Sequence, residues 1–126
     1  MSRLSLISLL FVSLIHSNEI VFNEIIERND KSVEISFLLE RVSLIKSYSL
    51  NSPSRLVFDI FDSELKEELD VSYNYPIKKI RSASEDNITR IIIDLYENVF
   101  WEKPTQIQAE DGVVLTLVTK RLKNLE

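Results

Sequence analysis

Thirty-five residues apart, this chain writes the same short text twice. Ser54-Arg55-Leu56-Val57-Phe58-Asp59-Ile60 is matched by Thr89-Arg90-Ile91-Ile92-Ile93-Asp94-Leu95, and the same offset lays Ile45-Lys46-Ser47 over Ile80-Arg81-Ser82. Each copy is a short strand, a polar turn and a strongly apolar strand. A period of this size also occurs in helical arrays. Here, however, the apolar residues are β-branched and alternate in twos, which suits a pleated strand. Two copies are too few for a solenoid. The expectation is an all-β fold, a sandwich of two similar small sheets related by the repeat and folded face to face.

The remaining sequence carries the same two-residue rhythm. Val33, Ile35, Phe37 and Leu39 alternate with Ser32, Glu34, Ser36 and Glu40, the pattern of a half-buried strand. Val113, Leu115 and Leu117 alternate with Val114, Thr116 and Val118, after a turn signal at Asp111-Gly112. Ile20 to Arg28 is apolar and β-branched, and Asp30-Lys31 turns it into the next strand. Ser63 to Leu69 is the one helix-favouring stretch, two turns at most, and is expected to connect the halves. Val71 to Pro76 completes that connection, with Tyr73 and Tyr75 covering a sheet edge or end.

In a strand, residues i, i+2 and i+4 share a face. Leu56, Phe58 and Ile60, with Ile91, Ile93 and Leu95, are therefore predicted core. The opposite faces read Arg55, Val57, Asp59, Phe61 and Arg90, Ile92, Asp94, Tyr96: a cation, an aliphatic, an anion and an aromatic in the same order. Arg and Asp lie about 13 Å apart along one strand, so each needs a partner elsewhere. Two roles are open to these faces. One is cross-strand ion pairing that fixes register. The other is a mixed surface for a ligand bearing carboxylates, amides and sugar hydroxyls, since Arg binds carboxylate through two parallel hydrogen bonds and an aromatic stacks on a sugar face.

The first residues read as an address. Arg3 precedes an uncharged apolar run from Leu4 to Ile15, then His16 and Ser17. This predicts a Sec signal peptide over residues 1–17, with Ser17 the last residue removed. The apolar run is well short of the roughly 20 residues that span a bilayer, so no transmembrane segment is expected after its removal. The expected mature part has 109 residues and a formal charge of −6, because Arg3 leaves with the signal. It has neither cysteine nor histidine. That excludes a Ser-His-Asp triad, a disulfide and a zinc site built on thiolate or imidazole. The expectation is a protein without catalytic residues, metal or cofactor. An acidic balance with no long basic run argues against nucleic acid as a partner. Residues 18–119 are expected to form the domain and 120–126 a frayed tail.

Tyr48-Ser49-Leu50-Asn51-Ser52-Pro53-Ser54-Arg55-Leu56-Val57-Phe58-Asp59 resembles the first signature of the AMIN domain family, with its aromatic, Leu, turn and Arg-Leu-Val-x-Asp in order. Ile77 to Arg81, then Thr89 to Leu95, then Asp111 to Leu117 are similar to its second half and closing hairpin. The resemblance covers about residues 20–119. It implies a periplasmic, non-catalytic β-sandwich of the kind that precedes wall amidases and pilus secretins, binds peptidoglycan and localises the attached protein. Carried over by position, Arg55, Asp59, Arg90 and Asp94 are the family-like polar residues, and Phe61 and Tyr96 complete the candidate ligand-binding set. The glycines common after the first Asp strand and before the second Arg strand are missing. The expected function is an exported peptidoglycan-binding module that targets or scaffolds a cell-envelope machine. The alternative is an adaptor between envelope proteins, in a secretin, pilus or division complex, without direct wall binding.

Overall fold

The computed structural model describes residues 16–30, 32–97 and 99–121. The expected signal peptide, apart from His16 and Ser17, and the tail after Arg121 lie outside the described residues. Among those described there are eleven strands and no helix: β1 (Asn18–Glu27), β2 (Val33–Leu39), β3 (Ile45–Leu50), β4 (Arg55–Phe61), β5 (Ser63–Leu65), β6 (Asp70–Ser72), β7 (Ile77–Glu85), β8 (Ile88–Leu95), β9 (Val99–Trp101), β10 (Thr105–Ala109) and β11 (Gly112–Arg121). They form two sheets. The first runs β10-β11-β2-β1-β5, with β9 also paired to β11, and the second runs β3-β4-β8-β7-β6. Every pairing is antiparallel except β1 with β5.

Alternation dictates the core. Ile35 and Phe37 of β2 and Leu115 and Leu117 of β11 meet Leu56, Phe58 and Ile60 of β4 and Ile91 and Ile93 of β8 in one buried cluster. All six residues predicted as core from the repeat are buried. Each such side chain contributes about 1.5–3 kcal/mol by leaving water. Phe58 of the second sheet meets Trp101 of the first edge to face, with ring centres 5.7 Å apart. The all-β sandwich of two sheets is thus as expected.

The duplication is placed differently from the expectation. Both copies, β3–β4 and β7–β8, lie in the second sheet, and β4 runs antiparallel beside β8. The repeat pairs edge to edge instead of face to face. Its two most apolar strands satisfy each other's backbone hydrogen bonds at the centre of that sheet. The opposing sheet is built from the segments before and after the repeat, with the short β5 from between its copies added at the edge.

Ser63 to Leu69 is not helical. Asp62, at φ 52°, turns the chain out of the second sheet, and Ser63–Leu65 pairs parallel with Asn18–Ile20 in the first. The open edge of β1 overrides a short, weak helix preference. The missing family glycines are replaced by residues that tolerate left-handed backbone. Asp62 stands after the first Asp strand, and Asp86 and Asn87, at φ 50° and 62°, make the two-residue turn between Glu85 and Ile88. β11 continues through Lys120 and Arg121, two residues past the expected domain end, because they pair with Phe100 and Val99.

The crossing from β2 to β3 is fastened by side chains. Buried Asn18 accepts from the Glu40 and Arg41 amides and donates to the Arg41 carbonyl and Ser43 Oγ. Gln106 exchanges two hydrogen bonds with the Ser43 backbone at 2.8 and 2.7 Å. These bonds seat β3 at one edge of the second sheet, so the outward faces of both repeat copies share one surface.

Candidate functional site

The outward residues of the second sheet fall into register rows. One row holds Leu50, Arg55, Asp94 and Lys79; the next holds Tyr48, Val57, Ile92 and Arg81; the third holds Lys46, Asp59, Arg90 and Ala83. Two cation–anion–cation rows therefore flank a middle row that is apolar except for Arg81 at its end, and four residues of strand put them about 13 Å apart. Val57 and Ile92 are buried although they face away from the core. The long side chains around them must lie across the face, stems on the aliphatics and charged heads outward.

Both anions are engaged. Arg90 donates from Nε and Nη2 to the two oxygens of Asp59, at 2.7 and 3.1 Å. Arg81 does the same to Asp94, at 2.7 and 3.2 Å. The carboxylates are sunk, at 9% and 17% side-chain exposure, while their arginines are 48% and 40% exposed. The hydrogen bond to Asp59 raises the pKa of Arg90 above its ordinary value, and that to Asp94 does so for Arg81. Lys79 pairs with Asp70 at 3.0 Å. Among the described residues Arg55 donates only a long 3.3 Å bond, from Nε to the Pro53 carbonyl. Neither Arg55 nor Lys46 has an ion pair among the described residues. Beside Arg90 a depression of about 300 Å3 is lined by Ala83, Glu85, Asp86 and Ile88.

Of the six candidate residues, the structure puts Arg55, Asp59, Arg90 and Asp94 on this one face, in two cross-strand pairs, Asp59 with Arg90 and Arg55 opposite Asp94. It does not bring Phe61 and Tyr96 to them as a pair. Phe61 lies opposite Ile88 at one end of β4, and Tyr96 follows the other end of β8. Antiparallel pairing thus separates the two aromatics by about 27 Å. Tyr96 instead stacks near Tyr75, ring centres 5.9 Å apart, under the Lys78 ammonium. Sequence reasoning missed Arg81, Lys46 and Tyr48. The signal was available, because the repeat offset lays Lys46 over Arg81 and so marks a basic residue on the strand before each Asp.

The face offers N–H donors held in place over one buried and one half-buried carboxylate. Each engaged arginine uses two of its five donors, one on Nε and one on Nη2, on its carboxylate. No group of three or more His, Cys, Asp or Glu among the described residues is arranged to hold a metal ion. No helix among them is long and apolar enough to cross a membrane.

Comparison with known proteins gives one positive result. The family model of the AMIN domain matches residues 25–119. None of the curated proteins matches the chain. AMIN domains are periplasmic, non-catalytic modules associated with peptidoglycan and with envelope complexes. With a match that runs from the first strand into the last, the chain belongs to the AMIN domain family.

Proposed function

We propose that this chain is an exported, non-catalytic module that binds peptidoglycan through the outer face of the second sheet and so targets or scaffolds an envelope machine in the periplasm. The observation that carries the reading is the pair of cation–anion–cation rows on either side of Tyr48, Val57 and Ile92. Each row carries more cations than anions in a chain whose overall charge is −5. Arg55 and Arg90 are the ligand-facing groups for wall carboxylates and amides, and Asp59 and Asp94 position the guanidinium heads beside them. Phe61 and Tyr96 contact a bound glycan only if it runs the length of the strands. Pelleting the purified protein with isolated sacculi tests this. Co-sedimentation at low salt, reduced by Arg55→Ala plus Arg90→Ala in a folded protein, is expected; no pelleting, or pelleting indifferent to both changes, refutes it.

A second reading, an adaptor between envelope proteins, is favoured by a different surface. On the outer face of the first sheet Val21, Leu38, Val114 and Ile107 stand in one register row across four strands. Leu38 is 42% and Ile107 64% exposed. A protein crosslinked to this row that stays attached after wall digestion supports the adaptor.

A further inference from the structure

The repeat is symmetric in sequence but not in its ion pairs, and the asymmetry leaves one arginine over. Arg90 of the second copy is held by Asp59 of the first. By the same relation Arg55 should be held by Asp94, which stands directly opposite it in register. Asp94 is taken by Arg81 instead. The cause lies in β7, where a bulge between Ile77 and Lys79 adds one residue against β8. Were every residue of β7 paired in the register set by Ile77 and Leu95, Arg81 would stand opposite Ile91, on the core side; because the bulge leaves one residue unpaired, Arg81 stands opposite Ile92 and faces outward beside Asp94.

Arg55 is left with both terminal nitrogens unpaired among the described residues. In a chain with 20 acidic and 15 basic side chains, a guanidinium without a carboxylate departs from the prevailing surplus of acid. It stands where the sandwich opens at one end. There a cleft of about 250 Å3 is lined by Ser49, Leu50, Asn51 and Arg55 from the second sheet and by Phe100 and Trp101 from the first. Trp101 rests on Phe58 on one side and lines the cleft with the rest of its surface. Leu50 and Phe100 remain 38% and 62% exposed. One basic group, two aromatics, four aliphatics and two short polar side chains thus surround a space suited to the end of a chain.

We infer that this cleft binds the free carboxylate end of a peptide. Arg55 takes the carboxylate end-on through its two terminal nitrogens. Trp101, Phe100 and Leu50 enclose a small apolar last residue, and Ser49 and Asn51 face the adjoining peptide group. Such carboxylates end both the stem peptides of the wall and ordinary protein tails, and the handedness of the last residue tells the two apart. The inference does not rest on the wall-binding reading of the sheet face.

Trp101 is the only tryptophan, so its fluorescence reports this cleft directly. The purified protein is titrated with acetylated tripeptides ending in D-alanyl-D-alanine or L-alanyl-L-alanine, each as carboxylate and as C-terminal amide. The expected result is a saturable change in emission with a carboxylate peptide. Binding should weaken roughly tenfold for its amide, and by the same factor in Arg55→Gln, with partial recovery in Arg55→Lys and unchanged circular dichroism. Preference for the D form assigns the cleft to wall peptides, and preference for the L form assigns it to a protein tail. The inference is overturned if no carboxylate peptide moves the emission at millimolar concentration, if amides bind equally well, or if folded Arg55→Gln binds as before. A negative titration alongside intact sacculus pelleting overturns the cleft alone.

Discussion

Replacing Asp59 with Asn and Arg90 with Gln, singly and together, measures how strongly the two copies of the repeat are bolted to each other. Two charge-assisted hydrogen bonds join these side chains, and their carboxylate is nearly buried while the guanidinium is about half in water. A surface pair is worth about 0–1 kcal/mol and a fully buried one loses about 3–5 kcal/mol when broken. Discounted for the exposed guanidinium, the coupling should be about 1–2 kcal/mol. The same cycle on Arg81 and Asp94, whose carboxylate is wetter, should give about 1 kcal/mol. The cycle on Arg55 and Asp94 is the control. These residues are cross-strand neighbours with no hydrogen bond between them, so their coupling should stay at the low end of about 0.2–1 kcal/mol. Urea unfolding followed by circular dichroism supplies every value, because a domain of this size unfolds in one step. A coupling between Arg55 and Asp94 equal to that between Asp59 and Arg90 would refute the pairing scheme, and with it the unpaired arginine at the cleft.

Thr89→Val should raise stability by about 1 kcal/mol in the same assay, because the Thr89 hydroxyl is buried without a hydrogen-bond partner among the described residues. Gly112→Ala should cost about 2–4 kcal/mol: its φ is 140°, and a Cβ there would stand 2.4 Å from the Leu39 carbonyl oxygen. Acid should weaken the fold through Asp30, Glu34 and Glu40. Hydrogen bonds from the Ser32 hydroxyl, from Arg28 and from the Glu19 amide, respectively, hold their pKa values below the ordinary carboxylate ones. The native state then binds fewer protons than the unfolded state, so stability is complete above the ordinary values and falls as pH drops through the lowered ones. The urea midpoint should be level from neutral pH to about 5 and decline below it; a midpoint that rises on acidification would contradict this.

Much of the architecture is readable without coordinates, and the unreadable parts share one cause. Period-two alternation in Val33–Leu39 and the two apolar repeat strands identifies which side chains are buried, because burial of one face is a local property of a strand. Partnership is not local. The likeness between the two copies is equally compatible with two sheets stacked and two hairpins side by side, and only the register of β4 against β8 decides. Ser63–Leu65 becomes a strand for a similar reason, since the backbone that pairs with it begins at Asn18, far back in the chain. The candidate site divides along the same line. Arg55, Asp59, Arg90 and Asp94 follow from the pattern, whereas the capture of Asp94 by Arg81 depends on a one-residue bulge that no spacing rule reveals. Phe61 and Tyr96 occupy equivalent places in the two copies, yet antiparallel pairing sends equivalent places to opposite ends.

Mapping backbone amide shifts of the isotope-labelled protein on titration with soluble glycan-peptide fragments of the wall tests the proposed binding face most directly. The account predicts shifts along β3, β4, β8 and β7, greatest around Tyr48, Arg55 and Arg90, with the first sheet unmoved apart from Phe100 and Trp101 at the cleft. Shifts confined to the row through Val21, Leu38, Val114 and Ile107, or no shifts at saturating fragment, would contradict it.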